Sequence, residues 1–498
     1  MSQIIFLDKP IFSFLDSISN EKPNECALIQ MENNHCITWN YLKEASNKIA
    51  NWINSTNKNN QVLFACHNTI DSVVGLIGIM KSGSPAALVD PLTISEDLKQ
   101  EIEGKNIKTA VVSWQFFERE KETLKQEGID NVLIVDGQVK EEGNLNVNYI
   151  KDVLSTNETY ENKELNLDDI SIIMYYAGVA GRTMQTYHTH RGLSYAVQAL
   201  SKTINFDFVP NSLVISPITH VLGLQVSLLT PLYNKGKAIM ISRWDANLAM
   251  KTIKYYNINF MSGAPLVFDS LIDAIEKSNE DFKNTLKLGI SAGAPLKPET
   301  QDKFYKVFAS PLVQAYGMTE TWVVSYQPKE FFEIKNTLGL PLYGVEIKVV
   351  SPDDPSEELG KNQAGELLVK ASWVMKGYED DNETKKAFYN GYLKTGDLVL
   401  IDDKGFLYFK GVKKRMLKYK AYPIFPKDLE TILLKHYAVK NAFVFGEKDP
   451  DVGDLPVAKV VLKDEYKGKI KEEELINYVN SRVAFYKKIR KIYFVDSL

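Results

Sequence analysis

Two short segments of the chain carry side chains that could do chemistry. Residues 314–321, QAYGMTET, place Tyr316, Thr319 and Glu320 close together, and residues 392–397, YLKTGD, end on Asp397. An ionised carboxylate only accepts hydrogen bonds, so it suits hydroxyl groups or a hard cation. Taken alone, the first segment could instead be a capped helix start and the second a hairpin turn.

A loop of small residues is the third candidate. Residues 177–181, AGVAG, follow an apolar, β-favouring segment, and after His190 the apolar residues Leu193, Val197 and Leu200 recur at helical spacing. We therefore predict a strand, a glycine loop and a helix. That layout points backbone N–H groups at a phosphate; an ordinary strand-to-helix turn is the alternative.

The surrounding pattern predicts an α/β fold. Strands are predicted over residues 61–66, 86–89, 110–113 and 131–135, and a helix over 71–81 that stops at Gly83. Such alternation favours parallel sheets flanked by helices. Residues 141–169 are polar and are predicted to form a surface linker.

Composition excludes several classes of protein. The 498 residues carry a net charge of −4, without the basic excess of a nucleic-acid-binding protein. Cys26, Cys36 and Cys66 are scattered, which predicts unpaired thiols in a reducing compartment and no zinc site. We see no signal-peptide pattern and no apolar run long enough to span a bilayer. A cytoplasmic protein without a transmembrane segment is expected.

Together these segments resemble the AMP-forming acyl-CoA synthetases and their adenylate-forming relatives, the superfamily that includes firefly luciferase. The resemblance covers nearly the whole chain, and residues 316–320 match the family's Tyr-Gly-x-Thr-Glu element without a substitution. The phosphate loop is degenerate, because small residues replace hydroxyls and Met184 stands where the family has a lysine. The resemblance implies a large N-terminal domain, 1–411, with parallel sheets and a β-rich subdomain, and a small mobile α+β C-terminal domain, 412–498.

The resemblance also implies roles for individual residues. Tyr316 would stack on adenine, Thr319 would meet the α-phosphate, and Asp397 would bind the ribose hydroxyls. Glu320 would hold Mg²⁺, and Thr319, Glu320 and His220 are the candidate catalytic residues. The candidate nucleotide-binding residues are Gly178, Gly181, Arg182, Gly293, Ala294, Pro295, Tyr316, Gly317, Thr319 and Asp397. Arg182 could compensate for the missing lysine, or it could simply face solvent.

The acyl pocket is expected beside residues 216–223, where the resemblance gives His220 and Gly223 a place at its border. Trp322 could shorten this pocket or belong to the core. The segment contains no carboxylate that could pair with an ammonium group, which disfavours an amino-acid substrate.

The hinge and the coenzyme A contacts also depart from the family pattern. Val412 replaces the hinge arginine, Lys414 takes the hinge position, and Ala421 replaces a glycine beside the path of the pantetheine arm. Lys418 and Lys420 could bind coenzyme A phosphates, or they could be a solvated face. The family's adenylation lysine would lie just beyond Leu498, where the given sequence ends; natural loss and a shortened sequence both remain open.

The expected activity is therefore that of an acyl-CoA synthetase. It would use ATP, Mg²⁺ and coenzyme A to activate a fatty or other apolar carboxylic acid through an acyl-adenylate. Two alternatives stay open: an impaired relative that binds a nucleotide or an acyl ligand, and an adenylating enzyme that loads a carrier protein. The expected partners are small molecules, and a homodimer is compatible with the resemblance.

Overall fold

The computed structural model describes residues 5–57, 60–138, 145–156, 164–177, 183–413, 417–420, 422–424 and 426–498. The fold is mixed α/β, as expected: two large sheets flanked by helices, a β-rich region and a small C-terminal α+β region.

The first large sheet contains eight strands within these residues. In spatial order they are Gly377–Tyr378, Thr183–Thr189, Ile170–Ala177, Ala86–Leu88, Val62–Ala65, Thr109–Val112, Asn131–Ile134 and Asn146–Tyr149. From Ile170–Ala177 onward in this order, neighbouring strands pair in parallel. Helices connect such strands and cover both faces of the sheet, which explains why the central strands Ala86–Leu88 and Val62–Ala65 are entirely apolar and buried.

The second large sheet contains nine strands within the same described ranges. In spatial order they are Leu340–Pro341, Trp322–Tyr326, Leu312–Met318, Leu288–Ser291, Phe260–Gly263, Asn211–Val214, Lys237–Met240, Cys26–Gln30 and His35–Thr38. Its middle strands are parallel, and antiparallel hairpins complete both edges.

Two smaller sheets follow along the chain. The β-rich region consists of Glu346–Val350, Ala364–Lys370, Tyr392–Ile401, Phe388–Tyr389 and Leu407–Val412. The C-terminal sheet consists of Tyr422–Ile424, Leu417–Tyr419, Gly453–Leu462, Val439–Asp449 and Lys491–Phe494, and it has a hydrophobic core of its own. The predicted domain boundary after residue 411 falls one residue before the end of strand Leu407–Val412 and stays a prediction.

Helices fill the space around these sheets. The α-helices are Ile11–Glu21, Trp39–Thr56, Ile70–Ser82, Ser95–Ile102, Trp114–Gln126, Ile150–Leu154, His190–Ile204, Thr230–Tyr233, Ala246–Tyr255, Pro265–Ser278, Pro298–Phe308, Asp381–Ala387, Pro426–Leu434 and Glu472–Asn480. Leu222–Leu229 is a π-helix, and Met31–Asn33, Lys329–Phe331, Asp464–Tyr466 and Phe485–Lys487 are 3₁₀ turns. None of the described helices combines the length and the apolar composition that a membrane crossing requires.

The helix Ile70–Ser82 confirms one prediction closely. The Thr69 hydroxyl accepts a hydrogen bond from the Ser72 N–H at its start, and Gly83 ends it with a φ of 83°. Glycine adopts the left-handed backbone conformation after a helix easily, because it has no Cβ atom to clash there.

The helix predicted after His190 is confirmed as His190–Ile204, but the prediction missed a strand between the small-residue loop and this helix. Thr183–Thr189 is a strand that pairs antiparallel with Ile170–Ala177, and the helix His190–Ile204 begins only after it. The segment contains three Thr and one Tyr, residues that favour strands, and Gly377–Tyr378 pairs with its outer edge. The loop therefore joins two strands of a hairpin, and no helix N-terminus follows it directly.

Two further expectations need correction. The polar segment 141–169 is more than a linker, because Asn146–Tyr149 adds a strand to the first sheet and Ile150–Leu154 is a helix. Cys26 and Cys36 are joined by a disulfide, whereas only Cys66 is a buried free thiol among the described cysteines. Both cysteines lie on paired antiparallel strands, and this pairing brings them together.

Candidate functional site

One cleft of about 1590 Å³ collects the residues that the sequence singled out. Its walls come from both large sheets, the β-rich region and the C-terminal region. Many lining residues stand directly after a parallel strand, such as Ile215, Ala264 and Ala292, and Asp90 is the second residue after strand Ala86–Leu88. In open α/β sheets, ligands bind at the carboxyl ends of the strands, so this location is typical of a binding site.

Tyr316 and Asp397 meet in the cleft although they are 81 residues apart in sequence. The Tyr316 hydroxyl donates a 2.7 Å hydrogen bond to Asp397 Oδ2. Burial, together with the neighbouring Asp397 carboxylate, holds the pKa of Tyr316 well above its usual value, so the phenol stays protonated and donates. The bond connects the second sheet to the β-rich region.

A bulge in strand Tyr392–Ile401 presents Asp397 to the cleft. Strand pairing with Ala364–Lys370 shifts here, and Gly396 adopts a φ of 72°. The Thr395 hydroxyl donates to the Leu367 carbonyl at 2.8 Å and accepts the Asp397 N–H at 3.1 Å. The Thr-Gly-Asp sequence therefore builds a local turn that aims the carboxylate.

Glu320 lies in the turn between strands Leu312–Met318 and Trp322–Tyr326, so this segment is not a helix start. Its side chain is 1% exposed, and one carboxylate oxygen accepts a 2.7 Å hydrogen bond from the Tyr378 hydroxyl. Thr319 lines the cleft beside it. A buried carboxylate held in this way is a preorganised acceptor.

Gly317 is required by the tightness of this hairpin. A Cβ atom on Gly317 would lie 2.1 Å from the carbonyl oxygen of Trp322, so no other residue fits without moving the backbone. Strand pairing is irregular at this point, between Tyr316 and Gly317. The glycine thereby lets both Tyr316 and Glu320 face the cleft.

His220 also lines the cleft, and it contacts a carboxylate that the sequence analysis did not single out. His220 Nε2 is 2.8 Å from Asp90 Oδ2. Burial alone would raise the pKa of Asp90, but the hydrogen bond and charge of His220, together with the Leu92 N–H, lower it below its usual value. An aspartate just beyond the carboxyl end of a buried strand was the available signal, because ligands bind at that edge of an α/β sheet.

The cleft around His220 is largely apolar. Its lining there includes Ile215, Pro217, Val221, Leu222, Trp244, Leu266 and Val267. Thr219 is also there, and its buried hydroxyl has no hydrogen-bond partner among the described residues. This part of the cleft suits a molecule with an apolar body and a polar end that points toward His220.

Several predicted positions do not line the cleft. Trp322 is fully buried in the core, where its indole N–H donates to His188 Nδ1 at 2.9 Å, so it does not shorten the pocket. Gly223 packs under Pro217, whose carbonyl oxygen would be 2.0 Å from an added Cβ. Gly293 lines the cleft, but Ala294 and Pro295, which follow it, do not.

Five residues of the predicted nucleotide and coenzyme A sites lie outside the described residues. They are Gly178, Gly181, Arg182, Lys414 and Ala421. Lys418 is on strand Leu417–Tyr419, and Lys420 lines the cleft. Met184 lines it as well, so an uncharged thioether occupies the position of the family's lysine.

Carboxylates outnumber cations along the described walls. The acidic lining residues are Asp90, Glu101, Glu320, Glu366, Glu383, Asp397, Glu430 and Asp451, and the basic ones are Lys386, Lys394, Lys413, Lys420 and Lys487. Lys413 donates to Glu366 at 2.7 Å, and Lys487 is 3.5 Å from Asp97. A polyphosphate in this cleft would need a cation of its own.

The described residues contain no cluster of three or more histidine, cysteine or carboxylate side chains placed to hold a metal. A single carboxylate such as Glu320 is nevertheless a common arrangement for Mg²⁺, which is usually bound by one or two carboxylates plus substrate phosphates.

Comparison with known proteins agrees with this architecture. The family model described as "AMP-binding enzyme" matches residues 15–379, and that of the "AMP-binding enzyme C-terminal domain" matches residues 428–498. The chain is 29% identical to 4-coumarate–CoA ligase-like 1 of Arabidopsis thaliana, over 85% of this chain and 78% of that protein. It is 26% identical to peroxisomal OPC-8:0-CoA ligase 1 of the same plant, over 95% of this chain and 87% of that protein.

The fold is also that of a solved structure. An o-succinylbenzoate CoA synthetase from Bacillus subtilis superimposes with a TM-score of 0.84 at 23% identity, over 98% of this chain and 95% of that one. At this identity the likeness concerns the fold alone.

Proposed function

Since the chain belongs to the AMP-binding enzyme family, and within it to the AMP-forming acyl-CoA synthetases, which are acid–thiol ligases, we propose that it activates a fatty or other apolar carboxylic acid and transfers the acyl group to coenzyme A. The observation that carries this proposal is that Glu320 and Asp397 line one cleft with an apolar end. Glu320 would bind the metal ion and Asp397 the ribose, and the substrate acid would occupy the apolar part of the cleft.

The nucleotide would occupy the end of the cleft near Tyr316. Asp397 accepts hydrogen bonds from the ribose hydroxyls, and the Tyr316 ring offers a face for the adenine. Thr319 can donate a hydrogen bond to the α-phosphate. These contacts fix the α-phosphorus where the substrate carboxylate attacks, so most of their contribution is orientation.

Mg²⁺ fits the donor set of this end of the cleft. The Glu320 carboxylate is buried and faces walls on which acidic side chains outnumber lysines. When bound, the ion would neutralise phosphate charge. Glu320 would hold it, and the Tyr378 hydroxyl would keep the carboxylate oriented.

The acid would lie between His220 and Val267. The residues of segment 215–222 that line the cleft are mostly apolar, and the Asp90 carboxylate that the structure adds beside His220 is already bonded to His220 Nε2 and to the Leu92 N–H. This supports an apolar acid and disfavours an amino acid. The names of the plant relatives include both 4-coumarate–CoA and OPC-8:0-CoA ligases, which supports testing aromatic and alkyl acids side by side.

A pyrophosphate-exchange screen tests the proposal. The full-length protein is incubated with MgATP, labelled pyrophosphate and, in separate reactions, 4-coumarate, cinnamate, a series of straight-chain fatty acids and several amino acids. We expect exchange with at least one apolar acid and none with amino acids. Exchange only with amino acids, or nucleotide binding without exchange for any acid, would contradict it; the second outcome favours the non-catalytic relative.

Two half-reaction rates sharpen the proposal. Because Met184 and Val412 lack the charges of the family pattern, we expect thioester formation from a supplied acyl-adenylate and coenzyme A to be faster than adenylate formation. Rapid-quench measurements of each step decide this, and a faster adenylation step would overturn it. Acceptance of the acyl group by a phosphopantetheinyl carrier but not by free coenzyme A would favour the carrier-loading alternative.

Location, assembly and domain boundary remain proposals as well. We propose a homodimer whose C-terminal domain begins at residue 412, and a cytoplasmic location. The Cys26–Cys36 disulfide argues against a reducing compartment, so the test of location includes the redox state of these two cysteines. Cell fractionation, light scattering and limited proteolysis test these three points in turn.

A further inference from the structure

We propose that Asp90 is a positioning residue for His220, fixing the tautomer in which Nε2 carries the proton so that the Nδ1 lone pair is left to accept the proton of the attacking thiol. This inference rests on the proposed function for the identity of the thiol. The positioning itself is a property of the protein alone and can be measured without turnover.

The Asp90 side chain is rigidly held. Its carboxylate is 6% exposed, and Oδ1 accepts the Leu92 N–H at 2.8 Å while Oδ2 contacts His220 Nε2 at 2.8 Å. The Thr93 N–H donates to the Asp90 carbonyl, which closes the turn after strand Ala86–Leu88. The carboxylate therefore has a fixed direction, and His220 is the side chain it faces.

The His220 ring, in contrast, is open to the cleft. Its side chain is 46% exposed, and its backbone begins the turn that leads into the π-helix Leu222–Leu229. A buried carboxylate on one ring nitrogen and solvent at the rest of the ring is the arrangement that lets the second nitrogen meet a ligand.

The direction of the hydrogen bond follows from the state of the carboxylate. Ionised Asp90 can only accept, so Nε2 must donate, and in a neutral imidazole the lone pair is then on Nδ1. The charged and titratable groups acting on this region are His67, Arg119, Arg243, Asp97, Glu101, Lys487 and the stacked pair Tyr422–Tyr486. The two tyrosines come from the C-terminal region and also line the cleft.

The proton has a defined course in the thioester step. The thiol sulfur bonds to the acyl carbonyl carbon, and the bond from that carbon to the phosphate oxygen breaks, so that its electron pair leaves with AMP. The thiol proton passes to Nδ1 of His220 and from there to water. Asp90 stabilises the imidazolium that forms, without itself taking the proton.

The tautomer is measured directly by NMR. The protein contains six histidines, and with ¹⁵N-labelled histidine their ring nitrogens give long-range ¹⁵N–¹H patterns that distinguish the tautomers. The His220→Gln variant assigns the His220 pattern. We expect the Nε2–H form in the wild type and a shift to the Nδ1–H form in Asp90→Asn, because the Asn amide can donate to Nε2.

Asp90→Asn is a conservative change, since its amide oxygen can still accept the Leu92 N–H. Asp97→Asn is the matched control: Asp97 is a buried carboxylate nearby whose ion pair is with Lys487, so its loss should leave the His220 tautomer unchanged. An Nδ1–H wild type, or an Asp90→Asn protein with an unchanged tautomer, overturns the proposal.

A double-mutant cycle tests whether Asp90 acts through His220. The single-turnover rate of thioester formation is measured with coenzyme A and synthetic 4-coumaroyl- or dodecanoyl-adenylate, chosen by the exchange screen. We expect Asp90→Asn to lower the rate about 10- to 100-fold with His220 present and less than about 2-fold in a His220→Ala background. Equal fold-changes in both backgrounds overturn the proposal. If the wild type forms no thioester at all, the proposed function fails while the tautomer experiment still decides the role of Asp90.

Discussion

Two sets of positions in the cleft differ in how their polar groups are held. In the first set, which we call the carboxylate side, Glu320 and Asp397 each accept a 2.7 Å hydrogen bond from a tyrosine hydroxyl. In the second set, the phosphate-binding side, Met184 and Val412 stand at positions that the resemblance assigns to cations, and Lys413 is paired with Glu366. The two sets differ in chemistry and not in place, because Val412 lies opposite Asp397 on the paired strand. The carboxylates are oriented, whereas the described positions of the second set carry no cation where the family has one.

This difference supports the proposal that the second half of the reaction, thioester formation, is the less affected one. Charge placed in advance at a reacting group typically contributes about 3–4 kcal/mol of transition-state stabilisation. Loss of such groups weakens the phosphoryl step, in which negative charge shifts toward pyrophosphate. On the proposed function, the carboxylate side would still orient a nucleotide, and the Asp90–His220 pair would serve the acyl group.

The largest effect is expected from breaking the intact side at Glu320. Glu320→Ala removes the proposed Mg²⁺ ligand and should lower the adenylation rate by about 10²- to 10³-fold, because one preorganised electrostatic contact is worth about that much. The measurement is pyrophosphate exchange as a function of Mg²⁺ at fixed ATP. Unchanged rates and unchanged Mg²⁺ dependence would remove Glu320 from the site.

Two matched variants separate the charge of Glu320 from its packing. Glu320→Gln keeps the size of the side chain and an acceptor for the Tyr378 hydroxyl, and should be nearly as impaired as alanine. Tyr378→Phe keeps the charge and removes the 2.7 Å hydrogen bond, so a loss of only about 3- to 10-fold is expected, corresponding to about 1 kcal/mol. If Tyr378→Phe were as damaging as Glu320→Gln, orientation rather than charge would be the role of this carboxylate.

The carboxylate side was also the part that the sequence could predict. Residues 316–320 and 395–397 are short, contiguous patterns whose local geometry, a tight hairpin and a bulge, depends on their own glycines. The helix Ile70–Ser82 was predictable for the same reason, since its cap and its stop signal are adjacent to it in the chain.

Features that depend on distant partners were missed. Asp90 and His220 are 130 residues apart, and nothing near Asp90 in the chain indicates its partner. The strand Thr183–Thr189 exists because Ile170–Ala177 and Gly377–Tyr378 pair with its two edges, whereas helical spacing begins only at His190. The Cys26–Cys36 disulfide likewise depends on the pairing of two strands.

The incomplete side can be sharpened by restoring a charge. Met184 lines the cleft on the strand that follows the small-residue loop, so Met184→Lys would place an ammonium group near the phosphates. We expect adenylation to rise about 10-fold, which corresponds to about 1.4 kcal/mol and is less than a fully preorganised contact would give.

Met184→Gln is the control for polarity and size at this position, because it adds hydrogen-bonding capacity without charge. The rate of thioester formation from a supplied adenylate should change little in either variant. Equal adenylation rates for the lysine and glutamine variants would mean that charge at position 184 is not what limits the first step.

The smallest effect on the cleft is expected from the disulfide, which joins the edge strand His35–Thr38 of the second sheet to its neighbour Cys26–Gln30 and contributes no residue to the cleft. The Cys26→Ser/Cys36→Ser protein should keep both half-reaction rates within about 2-fold of the wild type. Its midpoint of unfolding should lie at a lower urea concentration. A disulfide between residues with a sequence separation of 10 lowers the conformational entropy of the unfolded chain, which raises the free energy of unfolding by about 2–3 kcal/mol. Cys66→Ala keeps the disulfide and controls for thiol chemistry, since Cys66 is buried and its pKa is raised by burial. A large loss of adenylation without loss of stability in the double variant would mean that this sheet edge is coupled to the cleft, and the contrast between the two sides would then not be a local property of their side chains.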